Sequence, residues 1–151
     1  QGVSAACGIA KELKRKGNPA RVYCMTGDGE SEEGQVWEAA MFASHYKLDN
    51  LTLFLDFNCL QIDGDIRTVL NPTPFDEKYK AFGWHTIVID GHNFEEIEKA
   101  VAEAEQTKGM PTAIICRTIK GKGVSYMENV ADWHGKAPNE ELYKIAKAEL
   151  A

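Results

Sequence analysis

An aspartate between two glycines and an asparagine thirty residues later are the side chains best placed to do chemistry in this sequence. Gly27-Asp28-Gly29 follows the apolar run Val22-Tyr23-Cys24-Met25, and Asn58 follows a second run, Leu51 to Leu55. If the runs pair as neighbouring parallel strands, both side chains stand at the carboxyl end of one sheet, where open α/β sheets bind ligands. A carboxylate and an amide oxygen are hard donors suited to Mg²⁺, which keeps part of its shell for substrate phosphates. Flanking glycines let a diphosphate approach the main chain, and a following helix turns its N–H groups toward the anion. The pair therefore reads as a seat for a metal-bound diphosphate. Each half alone is commonplace, because Asp-Gly is a frequent turn dipeptide and Asn often ends strands. Their matched positions carry the reading.

Positioning those residues takes strands and helices in alternation. Residues 2–16 place Val3, Ala6, Cys7, Ile9, Ala10 and Leu13 at helical spacing and end in Lys14-Arg15-Lys16-Gly17, a basic last turn with a glycine stop. Residues 21–26, 51–56, 85–90 and 111–116 read as strands. Residues 33–46, with Val36, Ala39, Ala40 and Ala43 on one face, and residues 75–82 read as helices. Asn93 caps another, carrying Phe94, Ile97, Val101 and Ala104, and 139–149 form a terminal helix. The stretches 58–74, with Asp63-Gly64-Asp65 and Asn71-Pro72-Thr73-Pro74, and 120–138 read as irregular. This order predicts an α/β domain, a three-layer parallel sheet with helices on both faces.

At 151 residues the chain suffices for one domain with a core and is short for two. A net charge of −6 argues against nucleic acid or an anionic membrane as partner. No apolar run approaches the roughly 20 residues of a transmembrane helix, and the first residues lack the basic start and apolar core of a signal peptide. Cys7, Cys24, Cys59 and Cys116 are far apart with no Cys-x-x-Cys pair, which favours reduced thiols in a cytoplasmic protein. Gln1 opens without an initiator Met and runs almost directly into a helix, so a shortened domain, or one with residues before it, is expected.

Gly27-Asp28-Gly29, followed at this interval by an Asn beyond an apolar strand, resembles the diphosphate-binding motif of thiamine-diphosphate enzymes. Gly34-Gln35-Val36-Trp37-Glu38-Ala39-Ala40, His45-Tyr46-Lys47-Leu48-Asp49-Asn50-Leu51 and Leu60-Gln61-Ile62-Asp63-Gly64 narrow the resemblance to the amino-terminal half of transketolase. Lys120-Gly121-Lys122-Gly123-Val124 and Trp133-His134-Gly135-Lys136-Ala137-Pro138 continue it in the family's order over nearly the whole chain.

The resemblance implies the thiamine-diphosphate-binding fold and a set of roles. Asp28, the Asn58 side chain and the Leu60 carbonyl would ligate Mg²⁺, with two diphosphate oxygens and a water completing an octahedron. Gly27, Asp28, Gly29 and Glu30 would form the turn facing the diphosphate, Gly29 offering its N–H. Ile62 would pack on the thiazolium ring. His134 would reach the diphosphate and the incoming sugar, donating a hydrogen bond or shuttling a proton. Read without the family, His134 is a histidine ordered by Trp133 in a surface loop. Glu33 and Glu38, five apart on one expected helix, would point about 140° apart and serve as solvated or capping acids near its start. The resemblance instead puts them at a dimer interface linking two active sites, where buried like charges share a proton. His45, His85 and His92 read as structural or solvent-facing. Lys120-Gly121-Lys122-Gly123 lacks the Walker spacing and reads as a mobile loop. Cys59 reads as a small side chain tolerated between two ligands; facing the cofactor, it would expose the metal loop to oxidation.

The activity implied is transfer of a two-carbon ketol unit between sugar phosphates, as in the pentose phosphate pathway. Two parts of the family's machinery are missing from the sequence: histidines ahead of the first helix, and a pyrimidine-binding domain whose glutamate activates the cofactor. The resemblance thus implies a split transketolase, inactive until a pyrimidine-binding-domain chain joins it as a homodimer or heterotetramer. The alternatives are a deoxyxylulose-phosphate synthase, the α subunit of a 2-oxo-acid dehydrogenase, or a catalytically incompetent cofactor-binding or interaction module.

Overall fold

The two apolar runs that precede Asp28 and Asn58 lie side by side. The computed structural model describes residues 1–151. It begins with α1 (Gly2–Arg15), β1 (Val22–Gly27), a 3₁₀ turn at Glu30–Glu32, α2 (Gly34–His45) and β2 (Leu51–Phe57). A short antiparallel pair, β3 (Leu60–Gln61) and β4 (Gly64–Asp65), comes next, then α3 (Ile66–Val69) and α4 (Phe75–Ala81). The chain ends with β5 (His85–Asp90), α5 (Phe94–Gln106), β6 (Thr112–Arg117), a 3₁₀ turn at Ala131–His134 and α6 (Glu140–Glu149). The main sheet is parallel throughout, in the order β1-β2-β6-β5.

Alternation along the strands divides the core between the two faces. Leu51, Leu53 and Leu55 of β2 point to one face and are fully buried against Val3, Ala6 and Ala10 of α1 and Val36, Ala40 and Ala43 of α2. Burying each such leucine is worth about 1.5–3 kcal/mol. Small residues on both helices let them lie close to the sheet. Tyr79 and Trp84 complete this side, rings crossing at 5.3 Å, with the Trp84 indole N–H donating to the Ala40 carbonyl at 2.9 Å. The opposite face is covered by α5, through Ala100 and Ala104 against Ile89, Ile114 and Cys116. Cover there stops short of β1, where Met25 is 69% exposed. The three layers expected from the sequence are present, one of them a single helix.

Three local expectations change. Strands β1, β2 and β6 extend one residue past the anticipated ends, because pairing with a neighbour continues beyond the apolar run. Glu33 is not helical: it caps α2 in an extended conformation (φ −68°, ψ 128°), so a helical angle between Glu33 and Glu38 has no meaning. The stretch 58–74 contains β3, β4 and α3 instead of plain loop. Those elements are too short to show a period; Asp65 starts α3 by accepting the Arg67 N–H at 2.8 Å. The four cysteines are free thiols, and no helix is long and apolar enough to cross a membrane.

Candidate diphosphate and metal site

Register sets the site. Gly27, Asp56 and Cys116 lie in one row across β1, β2 and β6, so the residues just beyond them meet at the carboxyl edge of the sheet. The ladder runs one step further, the Asp28 N–H donating to the Asp56 carbonyl at 3.1 Å. Asp28 is then buried, 1% exposed. Its carboxylate accepts the Gly29 N–H at 2.8 Å through Oδ1 and the Cys59 N–H at 2.5 Å through Oδ2. Cys59 reaches it in a left-handed conformation, φ +65°, unusual for a side chain with a Cβ. Asn58 turns its amide both ways: Oδ1 accepts the Leu60 N–H at 2.9 Å, and Nδ2 donates to Asp56 at 3.0 Å. On the β1 side the Glu30 carboxylate accepts the Gly27 N–H at 3.2 Å, and the Ser31 hydroxyl donates to the Gly27 carbonyl at 2.9 Å.

These groups surround a cavity of about 470 Å³. Gly27, Asp28, Gly29, Glu30, Asn58, Leu60, Ile62 and His134, the eight cofactor-facing residues anticipated from the sequence, all line it. His134 enters from the 3₁₀ turn after β6, and Ile62, 67% exposed, offers an apolar surface at the rim. Three further residues lie in the wall that sequence reasoning did not place there: Asp56, Gln61 and Lys120. For Asp56 and Lys120 the signal was positional, one residue before the end of β2 and three beyond β6, on the same sheet edge as Asp28. Lys120-Gly121-Lys122-Gly123 is not an open loop. Its turns close through the Val124 N–H on Gly121 and the Asn129 N–H on Lys120, around the buried Val124. His92 steadies the approach, its Nε2 accepting the Ile119 N–H at 2.8 Å.

The electrostatics suit a cation carried with an anion. Burial pushes the Asp28 carboxyl up and the charge of Asp56 adds to it, while the N–H groups of Gly29, Cys59 and Asn58 pull it down. Lys120 is the single Lys or Arg in a lining that also holds Asp28, Glu30 and Asp56. Nowhere do three His, Cys, Asp or Glu side chains gather into a metal cluster. The available donors are instead a carboxylate, an amide oxygen and main-chain carbonyls. That set suits a hard cation whose remaining positions come from phosphate oxygens.

Gly29 leaves the space for such an anion. A Cβ there would sit 2.7 Å from the Gln61 Cβ, so Gly29→Ala must displace the segment that carries Gln61. Overpacking of this kind costs about 1–3 kcal/mol, and the expected result is diphosphate binding weakened about tenfold or more. Calorimetry of the variant beside the parent checks it; equal affinity would show that the turn does not meet the ligand.

Neither anticipated glutamate reaches this cavity. Glu33 caps α2, and Glu38 lines a separate cleft of about 310 Å³ with Cys7, Gly8 and Phe42, between α1 and α2. His85 pairs with Glu103 at 2.7 Å, and the His45 ring meets Tyr46 edge-on.

Residues 1–151 match the family model described as transketolase, thiamine diphosphate binding domain. The chain is 47% identical over 150 residues to the 6-deoxy-6-sulfo-D-fructose transketolase subunit SqwG of Clostridium sp. (strain MSTE9), covering 99% of this chain and 54% of that protein. It is 47% identical over 137 residues to human transketolase, covering 90% of this chain and 22% of the relative. The transketolase of Campylobacter jejuni superposes with a TM-score of 0.91 at 34% identity, over 98% of this chain and 24% of that one. The chain thus spans about half the length of the first relative and under a quarter of the other two.

Proposed function

This chain belongs to the family of transketolase thiamine-diphosphate-binding domains, and from that premise we propose that it is the diphosphate-binding part of a Mg²⁺-dependent split transketolase. The reaction would move a two-carbon ketol unit between sugar phosphates. The observation that carries the reading is the gathering of Asp28, Asn58, Leu60, Lys120 and His134 around one cavity at the strand ends.

Thiamine diphosphate, when bound, supplies the carbanion chemistry, while the protein binds and orients. Asp28, Asn58 Oδ1 and the Leu60 carbonyl would hold Mg²⁺. The Gly29 N–H now donates to Asp28 and would turn to a diphosphate oxygen, with Lys120 adding charge. Ile62 gives the thiazolium ring an apolar surface. His134 would hold or pass a proton at the sugar end. Glu33 and Glu38, away from the cavity, would act at a subunit contact.

On this reading residues 1–151 form one domain, and the pyrimidine-binding domain arrives on a partner chain, in a cytoplasmic homodimer or heterotetramer. The first relative is named a transketolase subunit, and that supports such a division between chains. Calorimetric titration of thiamine diphosphate, with Mg²⁺ or with chelator and with or without a pyrimidine-domain chain, tests it. Mg²⁺-dependent binding that tightens with the partner is expected. No binding in any arm would overturn the proposal in favour of a non-catalytic interaction module.

A further inference from the structure

We propose that Asp56 is a positioning residue: it decides which end of the Asn58 amide faces the metal, and Thr118 holds it in place to do so. The inference rests on the reading that Asn58 is a Mg²⁺ ligand.

An asparagine amide presents an oxygen and an NH₂ group of nearly the same shape, and only the oxygen can bind a cation. Nothing intrinsic to Asn58 chooses between the two orientations. Its neighbours do. On one side stands the Asp56 carboxylate, which only accepts; on the other stands the Leu60 N–H, which only donates. Nδ2 donates to Asp56 Oδ2 at 3.0 Å, and Oδ1 accepts from Leu60 at 2.9 Å. Reversing the amide would set oxygen against carboxylate and NH₂ against N–H, losing both bonds and gaining two repulsions. The observed orientation leaves the second lone pair of Oδ1 available to a cation.

Asp56 can enforce this because it cannot itself turn away. It lies within the central strand β2, paired with Gly27 on one side and Cys116 on the other. Its other carboxylate oxygen, Oδ1, accepts the Thr118 hydroxyl, and the Thr118 N–H extends the ladder to the Phe57 carbonyl at 3.1 Å. Three hydrogen-bonded residues, Thr118, Asp56 and Asn58, thus run from the end of β6 to the metal loop. Partners of this kind, one bond behind a ligand, orient it and are typically worth about 10–100-fold in metal affinity.

The test is Mn²⁺ binding with thiamine diphosphate, read on the full chain from the free-ion EPR signal. Four proteins are compared: the parent, Asp56→Ala, Asn58→Asp and the double variant. In the parent background Asp56→Ala is expected to weaken Mn²⁺ affinity about 10–100-fold. In the Asn58→Asp background both side-chain ends are oxygens, so orientation no longer matters. Removing Asp56 there should cost nothing, or tighten binding by ending repulsion between two carboxylates. An equal loss in both backgrounds would assign Asp56 to general charge or to the fold and overturn the inference. So would no loss in the parent background. Thr118→Val repeats the comparison without touching a carboxylate, should Asp56→Ala fail to fold: a several-fold loss, restored by Thr118→Ser and missing in the Asn58→Asp background. A parent protein that binds no Mn²⁺ would overturn the metal reading as well, a result distinct from the others.

Discussion

Replacing Asp28 with alanine is expected to lower Mg²⁺-dependent affinity for thiamine diphosphate by more than about 100-fold. On the proposed reading Asp28 is the charged member of a ligand set otherwise made of an amide and a carbonyl oxygen. Two unit charges 4 Å apart near a protein surface interact by about 4 kcal/mol, close to three decades in affinity at about 1.4 kcal/mol each. The alanine variant also leaves the Gly29 and Cys59 N–H groups without their acceptor. Each unsatisfied group costs about 1–3 kcal/mol, offset in part because a buried charge disappears. Asp28→Asn, which keeps the volume and one acceptor, should lose affinity to a similar extent with less disturbance. The direction of the Asp28 shift adds a sign. Burial raises its pKa in the folded state, so stability present below the ordinary carboxylate range is lost as pH rises through the folded value. Without metal, the parent should therefore give up more stability between acidic and neutral pH than Asp28→Asn does. Calorimetry and thermal melts at two pH values read all of this, and unchanged affinity in Asp28→Ala would remove the metal assignment.

The second large effect lies at the other end of the sheet and should leave the ligand untouched. Trp84→Ala is expected to destabilise the chain by about 3–5 kcal/mol. The indole is 3% exposed, crosses Tyr79 and donates to the Ala40 carbonyl in α2. Its removal opens a cavity and loses the indole hydrogen bond that ties β5's approach to α2. Trp84→Phe keeps most of the packing and should cost about 1–2 kcal/mol, the size of a lost buried hydrogen bond with a partial void. Because Trp84 precedes the amino end of β5 and Asp28 follows the carboxyl end of β1, affinity in the folded fraction should match the parent. Urea unfolding followed by fluorescence checks the stability; a loss below about 1 kcal/mol would show that the site collapses around the gap. Together the two variants separate affinity from stability along the length of one sheet.

Paired strand ends were legible in the sequence because apolar runs of strand length announce themselves, and the residues after them inherit the same edge. That is why Asp28 and Asn58 meet as expected. Asp56 had only its position to mark it, since an acid just after an apolar run reads as a solvent-facing strand end; its hydrogen bonds with Asn58 and Thr118 show only in the structure. Lys120 was obscured by glycines suggesting mobility, whereas the N–H groups of Lys122, Val124 and Asn129 close those turns on the carbonyls of Ile119, Gly121 and Lys120. Glu33 was misplaced by one residue. One residue is enough, because a helix cap has extended dihedrals and points where no helical periodicity can say.

The bond from Asp28 to the Cys59 N–H bears on how such a protein ages through descent. Asp28 would serve two masters: the proposed ligand, and a main-chain tether across thirty-one positions of sequence. A lineage that abandoned turnover would still be selected to keep this aspartate for its loop. Lys120 has no such second duty, since it lines the cavity and joins the fold through its carbonyl, which accepts the Asn129 N–H. Among relatives of this chain, drift at Lys120 is therefore the earlier mark of a retired enzyme, and a retained Asp28 is no testimony to a working one.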